Sequence, residues 1–291
     1  MLIGLLFLAA CAGPRPAPEP ESHPPVSYPP QAKERILSIA YREWLEFGRP
    51  VLDQTGSEAE QLRQGYEEGD PQVFAHLQAY WNAVRPEYAG YVREQRRRYR
   101  SGVEEGLWAG EPWSAAFISY VMRSAGIDLA DFEWDAGHRN YVDAAIRSAR
   151  HYGREAVFQP YEITDYAPQV GDLVCSDRTM PASQRIRTLA ERVAEMGSDR
   201  GMHCDIVVHT MTGRIAVIGG NVRDAVTLSF LPTDRQGRLI PWQPADGPET
   251  RAFFTVLRTN IPDPSGGFPV PRGLKEAEQL LQRAERSPVS G

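Results

Sequence analysis

Apolar residues recur at helical spacing in the first part of the chain. Three segments show this pattern, within residues 36–44, 73–84 and 88–99, and Pro86 ends the second of them. The spacing predicts a helical N-terminal part over residues 31–110.

A buried helix is predicted for residues 112–125. Pro112 suits the first helical position, and Gly126 suits the residue after the last turn. The side chains between them are apolar on nearly every face, and a helix with this pattern is buried.

The periodicity changes after a further helix predicted for residues 141–150. Short β-branched runs follow, separated by Gly, Pro, Asp and Asn, which is typical of antiparallel strands. An amphipathic helix over residues 183–196 interrupts the strands, and residues 261–291 predict a loop and a peripheral helix. The fold class is therefore α+β, with a core over residues 111–260. The predicted strands cover residues 171–175, 203–209, 214–218, 225–230 and 252–257.

An apolar stretch occupies residues 2–10 and ends in Leu-Ala-Ala before Cys11. It is too short to span a bilayer but suits the central region of an export signal. The ending resembles a bacterial lipobox. The resemblance implies removal of residues 1–10, acylation of Cys11 and, since Ala12 follows, an exported protein anchored in the outer membrane and facing the periplasm.

Proline is abundant in residues 11–30, a composition that favours extended conformations and cannot form a packed core. This segment predicts a tether that lets the globular part reach a cell-wall polymer.

The charge composition argues against one class of partner. The 291 residues include 32 basic and 38 acidic side chains, a net charge of −6, which argues against nucleic acid as a partner. The arginines within residues 96–100 fit a solvated helix face better than a binding patch.

The order of four short motifs points to a family. A Pro-Trp-Ser-Ala-Ala-Phe sequence around Ser114 opens the buried helix, and Gly-Asp-Leu at residues 171–173 opens a strand. His203 begins the next strand, and Asn221 follows Gly-Gly. Over residues 111–230 this order resembles the papain-like cell-wall hydrolases, the CHAP amidases and NlpC-type peptidases. It also resembles a family of bacterial lipoproteins known only as a domain of unknown function, in which serine is usual at this position.

The resemblance implies a catalytic set of Ser114, His203 and Asn221. A nucleophile at a helix N-terminus lies near backbone N–H groups that can bind an oxyanion, and a histidine on a facing strand can take its proton. Asn221 would orient the imidazole. The CHAP amidases and NlpC-type peptidases carry cysteine where this chain carries Ser114, so His203 must act as a true general base.

Other residues are expected to line the cleft and bind substrate: Glu111, Trp113, His138, Tyr141 and Asp205. Taken alone, each residue also has a plainer interpretation. Ser114 suits a helix start and Asn221 a turn, while His138 lies in a polar stretch that favours the surface. His203, Asp205 and His209 alternate on one strand, but they are too few for a metal site, and neither metal nor cofactor is expected.

Two functions follow as expectations. The first is a lipid-anchored hydrolase of amide bonds in peptidoglycan. The second is a catalytically inactive lipoprotein that binds the wall or another envelope component on the same scaffold.

The two remaining cysteines, Cys175 and Cys204, lie in the strands that flank the inserted helix. In the relatives these strands are antiparallel neighbours, so the two residues are expected to be close, whether bridged or not. If His203 faces the helix of Ser114, Cys204 faces the opposite side of the sheet. Neither cysteine is expected to be the nucleophile.

Replacing the acylated residue tests the anchor. We expect Cys11→Ala to leave an unprocessed or soluble protein, because the lipid attachment site is gone. Membrane fractionation and the mass of the exported protein measure this. A variant that is processed and stays membrane-bound like the wild type would refute the lipobox interpretation.

Overall fold

The computed structural model describes residues 24–56, 58–84, 86–103, 105–243 and 250–286. The predicted signal peptide, Cys11 and most of the tether therefore lie outside the described residues. The helices are α1 (Pro30–Glu46), α2 (Phe74–Ala83), α3 (Ala89–Arg100), α4 (Ser114–Ser124), α5 (His138–Tyr152), α6 (Leu189–Ala194) and α7 (Arg272–Arg286).

Within the described residues, eight strands form one sheet, so the fold is α+β. The strands are β1 (Val51–Asp53), β2 (Glu60–Arg63), β3 (Phe158–Tyr161), β4 (Leu173–Asp177), β5 (Met202–Met211), β6 (Arg214–Val222), β7 (Ala225–Pro232) and β8 (Ala252–Thr259). Their order across the sheet is β2-β1-β7-β6-β5-β4-β8-β3. Every neighbouring pair is antiparallel except β1 and β7, which are parallel.

The predicted helical part contains two of these strands. Residues 31–110 hold α1, α2 and α3, but also β1 and β2. Val51, Leu52 and Asp53 pair with β7, so this part of the chain extends the same sheet. Its apolar side chains belong to the hydrophobic cluster that also contains α4.

Helix α4 lies in the centre of the helical layer, where it contacts α1, α2, β5 and β6. It begins at Ser114, two residues later than Pro112 predicted. Trp113 has a non-helical backbone, with φ −106° and ψ 8°. The Trp113 indole is held outside the helix: its Nε1 donates to Glu68 Oε2 at 2.7 Å, and its ring stacks on Phe47 and Tyr80.

Helix α5 begins at His138, three residues earlier than predicted. Asp135 Oδ1 accepts hydrogen bonds from the Gly137 backbone N–H at 2.8 Å and from Asn140 Nδ2 at 2.6 Å. This arrangement holds the turn that precedes the helix. Ser119 of α4 accepts a bond from the Asp135 N–H at 3.0 Å and donates to the Asp135 carbonyl at 2.8 Å. The start of α5 is therefore tied to α4.

The inserted helix is shorter than predicted: within residues 183–196 only Leu189–Ala194 is α-helical. Thr188 and Glu191 form a capping box that sets the start of this helix. Arg192 is fully buried, and two of its nitrogens each donate to Asp143 of α5 at 2.8 Å. This bidentate ion pair attaches the insertion to α5.

The strand alternation places the cysteines on the helix side of the sheet. Cys175 and Cys204 pair directly across β4 and β5 and form a disulfide, with Cα atoms 4.1 Å apart. The expectation that they are close neighbours is confirmed. Both lie in the cluster that contains Phe117 of α4. Cys204 therefore faces the helix layer, contrary to the expectation that it faces the opposite side of the sheet.

Removing the bridge tests its contribution to stability. For a closed loop of 29 residues, the chain-entropy account assigns about 3 to 4 kcal/mol to the bridge. We expect the Cys175→Ala, Cys204→Ala double variant to lose about that much free energy of unfolding in denaturant titrations. Reductant should destabilise the wild type and leave the double variant unchanged. Equal reductant sensitivity in both proteins would contradict the bridge.

Candidate active site

Ser114 is the first residue of α4, and its hydroxyl contacts a histidine. Ser114 Oγ lies 2.6 Å from His138 Nε2, and both side chains are buried, at 5 % exposure each. The N-cap residue Trp113 makes no side-chain capping bond. The first backbone N–H groups of the helix are therefore not bound by an N-cap side chain.

The other ring nitrogen of His138 contacts Tyr141. His138 Nδ1 and the Tyr141 hydroxyl form a hydrogen bond one helical turn apart, and Tyr141 is 1 % exposed. If Nδ1–H donates to the tyrosine oxygen, Nε2 carries the lone pair that can accept the Ser114 proton. Burial raises the pKa of Tyr141 well above its usual value, so the phenol is neutral.

A second imidazole lies beside the first. The His138 and His203 ring centroids are 5.3 Å apart. His203 Nε2 is 2.9 Å from Asp205 Oδ1, and Asp205 Oδ2 accepts a hydrogen bond from Arg251. His203 is 2 % exposed, and its Nδ1 has no hydrogen-bond partner among the described residues.

Burial and charge set the protonation of this cluster. Burial, reinforced by the nearby His203, lowers the pKa of His138 well below its usual value. Burial also lowers the pKa of His203, against the opposing effect of Asp205. For Asp205, burial alone would raise the pKa, but Arg251 and His203 outweigh it and hold the pKa well below its usual range. Near neutral pH the cluster thus contains two neutral imidazoles and one carboxylate.

Two glycines of β6 allow the strand to approach these side chains. A Cβ on Gly219 would lie 1.9 Å from Asp205 Oδ1 and 3.0 Å from His203 Nε2. A Cβ on Gly220 would lie 2.5 Å from Phe117 Cβ. The Gly-Gly sequence is therefore required by contact with Asp205 on one face of the strand and with α4 on the other.

The predicted site residues are placed differently from the expectation. Ser114 bonds to His138 and not to His203, and the partner of His203 Nε2 is Asp205 and not Asn221. Asn221 is half-buried near the end of β6, in the left-handed region at φ 54°. The sheet therefore gives His203 a carboxylate partner from its own strand.

The residues expected to line the cleft fall into two groups, those that join the cluster around Ser114 and those that do not. His138 is buried, so its surface interpretation is wrong, and with Tyr141 and Asp205 it joins the cluster around Ser114. Trp113 is buried with its indole bonded to Glu68, while Glu111 is exposed.

Arg251 is the residue of this cluster that sequence reasoning missed. It lies just before β8, where the sequence offers no signal for a partner of Asp205, because the pairing depends on the strand order β5-β4-β8.

His209 lies apart from the cluster. Its Nε2 is 3.3 Å from Glu278 Oε1 of α7, and the β5–β6 pairing is irregular between Val207 and His209. Within the described ranges, no three His, Cys, Asp or Glu side chains come together in an arrangement that could hold a metal ion.

Comparison with known proteins places the chain in a family. Residues 70–259 match the family described as "Uncharacterized protein conserved in bacteria (DUF2272)". The chain belongs to this family. The DUF2272 match includes Ser114, His138, His203, Asp205 and Arg251. No curated protein and no solved structure matches the chain. In the part of the chain that the structure describes, no helix has the length and apolarity needed to cross a membrane.

Filling the space at Gly219 tests the packing of the cluster. We expect Gly219→Ala to cost about 1 to 3 kcal/mol of unfolding free energy, because the new methyl group must displace Asp205 or the strand. Gly266→Ala is the matched control, since its Cβ would meet nothing within 4 Å. Denaturant titration of both variants measures the difference. Equal stability of the two would contradict the close approach of β6.

Proposed function

We propose that this protein is a hydrolase of amide bonds in the cell envelope, with Ser114 as nucleophile, His138 as general base and Tyr141 as the residue that orients the base. The observation that carries the proposal is the 2.6 Å contact between Ser114 Oγ and His138 Nε2 at the N-terminus of a buried helix. A hydroxyl, an imidazole and a third group that fixes the imidazole are the parts of an activated serine nucleophile.

The reaction begins with acylation. Ser114 Oγ attacks the carbonyl carbon of the scissile bond and loses its proton to His138 Nε2. The negative charge that develops on the carbonyl oxygen is stabilised by backbone N–H groups of the first turn of α4 and by the positive end of the helix dipole. His138 then protonates the leaving amine, and the acyl group remains on Ser114.

The protonation of the site suits this role. A serine nucleophile needs a base that is neutral in the resting enzyme, because a protonated imidazole cannot accept the hydroxyl proton. The lowered pKa of His138, caused by burial and the nearby His203, keeps it neutral at and below neutral pH. A thiolate–imidazolium pair would need the opposite shift, so this environment favours serine over cysteine chemistry.

The proposed scaffold is papain-like, as the motif order implies, with one change of assignment. The resemblance gives the role of base to His203, whereas the contact with Ser114 favours His138. The proposed substrate class is peptidoglycan, supported by the lipobox at Cys11 and the proline-rich tether. Together these imply an outer-membrane anchor with the globular part in the periplasm.

A second candidate function is a catalytically inactive binding lipoprotein. It is favoured by the low exposure of Ser114 and by the inserted helix α6, which the Arg192–Asp143 ion pair attaches to α5. In this alternative the Ser114–His138 bond is a buried structural contact.

Substitution of the two central residues tests the proposal on the full-length protein incubated with peptidoglycan. We expect His138→Gln to slow release of new fragments by about 10² to 10⁴-fold, the usual contribution of a general base. Ser114→Ala should slow it at least as much, because it removes the nucleophile. The double variant should be no slower than the worse single variant, because the two residues act as a unit. Fragment release is measured by chromatography and folding by thermal melting.

His151→Gln is the control, since His151 lies on the exposed side of the same helix. Ser114→Cys restores the nucleophile of the relatives. If the wild type and Ser114→Cys both release nothing while folded, the binding function replaces the hydrolase.

A further inference from the structure

His203 is a second imidazole in the site, and the acylation step does not use it. It is 2 % exposed, and its ring centroid lies 5.3 Å from that of His138. The hydroxyl of Ser114 is hydrogen-bonded to His138. In this arrangement His138, and not His203, is therefore placed to accept the Ser114 proton.

The hydrogen bonds of His203 fix its tautomer. Asp205 is paired with Arg251, and an ionised carboxylate only accepts hydrogen bonds. His203 Nε2, 2.9 Å from Asp205 Oδ1, must therefore carry the hydrogen. In the neutral ring Nδ1 is then a bare acceptor.

This acceptor is buried and has no partner among the described residues. Burying an unsatisfied polar atom is unfavourable, so a group that donates a hydrogen bond is expected at Nδ1 in the working enzyme. Hydrolysis of an acyl-enzyme requires a donor of this kind, because water must be held and deprotonated as it attacks.

We propose that the two imidazoles divide the reaction: His138 activates Ser114 for acylation, and His203 Nδ1 binds and deprotonates the water that hydrolyses the acyl-enzyme. This inference rests on the proposed function. Asp205 and Arg251 are positioning residues, since they act through His203.

The deacylation step balances as follows. One proton of water passes to His203 Nδ1 while the water oxygen forms a bond to the acyl carbon. The bond between that carbon and Ser114 Oγ then breaks, and Oγ recovers the proton from His203. The product leaves as a carboxylic acid and ionises, and the resting serine and neutral imidazole are restored. The positive charge that His203 carries during the step lies beside the Asp205 carboxylate.

The test separates acylation from deacylation with p-nitrophenyl acetate and the full-length protein. Stopped-flow release of p-nitrophenol measures acylation, and intact mass measures acetyl groups retained on the protein. We expect His203→Gln to give a burst of p-nitrophenol and to gain the mass of one acetyl group on Ser114. Deacylation should slow by about 10² to 10⁴-fold, the range of general-base contributions. His138→Gln should give neither a burst nor an acetylated protein.

His209→Gln is the matched control, because His209 lies on the same strand and faces Glu278. It should turn over without accumulating acetyl-enzyme. If His203→Gln melts far below the wild type, the Asp205→Asn, Arg251→Gln double variant replaces it in the test. This variant keeps the imidazole but removes the carboxylate that fixes its tautomer, and it should accumulate the same intermediate.

The outcomes distinguish the two proposals. If the wild type is acetylated at Ser114 and turns over, but His203→Gln deacylates at the wild-type rate, the division of roles is wrong and the hydrolase stands. If His203→Gln abolishes acetylation as His138→Gln does, His203 acts before the acyl-enzyme and the inference is also wrong. If the wild type neither turns over nor is acetylated, both proposals fail.

Discussion

The site depends on a reciprocal pair of hydrogen bonds between Ser119 and the backbone of Asp135. Ser119 lies inside α4 with no exposure, and Asp135 sets the turn from which α5 starts. Each missing bond would leave a buried polar group unsatisfied, so the two helix starts hold a fixed relation. Ser114 and His138 occupy those starts. Their 2.6 Å contact is thus a consequence of packing deeper in the helical layer.

Much of the architecture could be predicted from local pattern. The five longer strands could be predicted from short β-branched runs, and the buried helix from its continuous apolarity. Both patterns depend on burial alone. Strands β1, β2 and β3 could not be predicted, because each has only three or four residues, too few for an alternating pattern to be recognised. The parallel pairing of β1 with β7 joins segments far apart in sequence, and no local signal encodes it.

Most members of the candidate cluster could be predicted from the sequence, but Arg251 and the hydrogen bonds between the members could not. Ser114, His203 and Asp205 follow from motif order, because a helix start and a strand start fix their positions. The bond from Ser114 to His138 depends on how two helices pack, and polar neighbours made His138 look like a surface residue. Asp205 could be predicted from the alternation of residues along β5. Its contact with Arg251 could not, because it depends on the strand order β5-β4-β8, which brings the start of β8 near β5.

The disulfide between Cys175 and Cys204 closes a covalent ring around the inserted helix. A protease that cuts any single peptide bond between these cysteines therefore leaves one molecule, with both fragments held by the bridge. The buried contact of Arg192 with Asp143 then keeps the cut segment attached to α5. Nicking at this place therefore leaves the strand of His203 covalently joined to the part of the chain that carries the helix of Ser114.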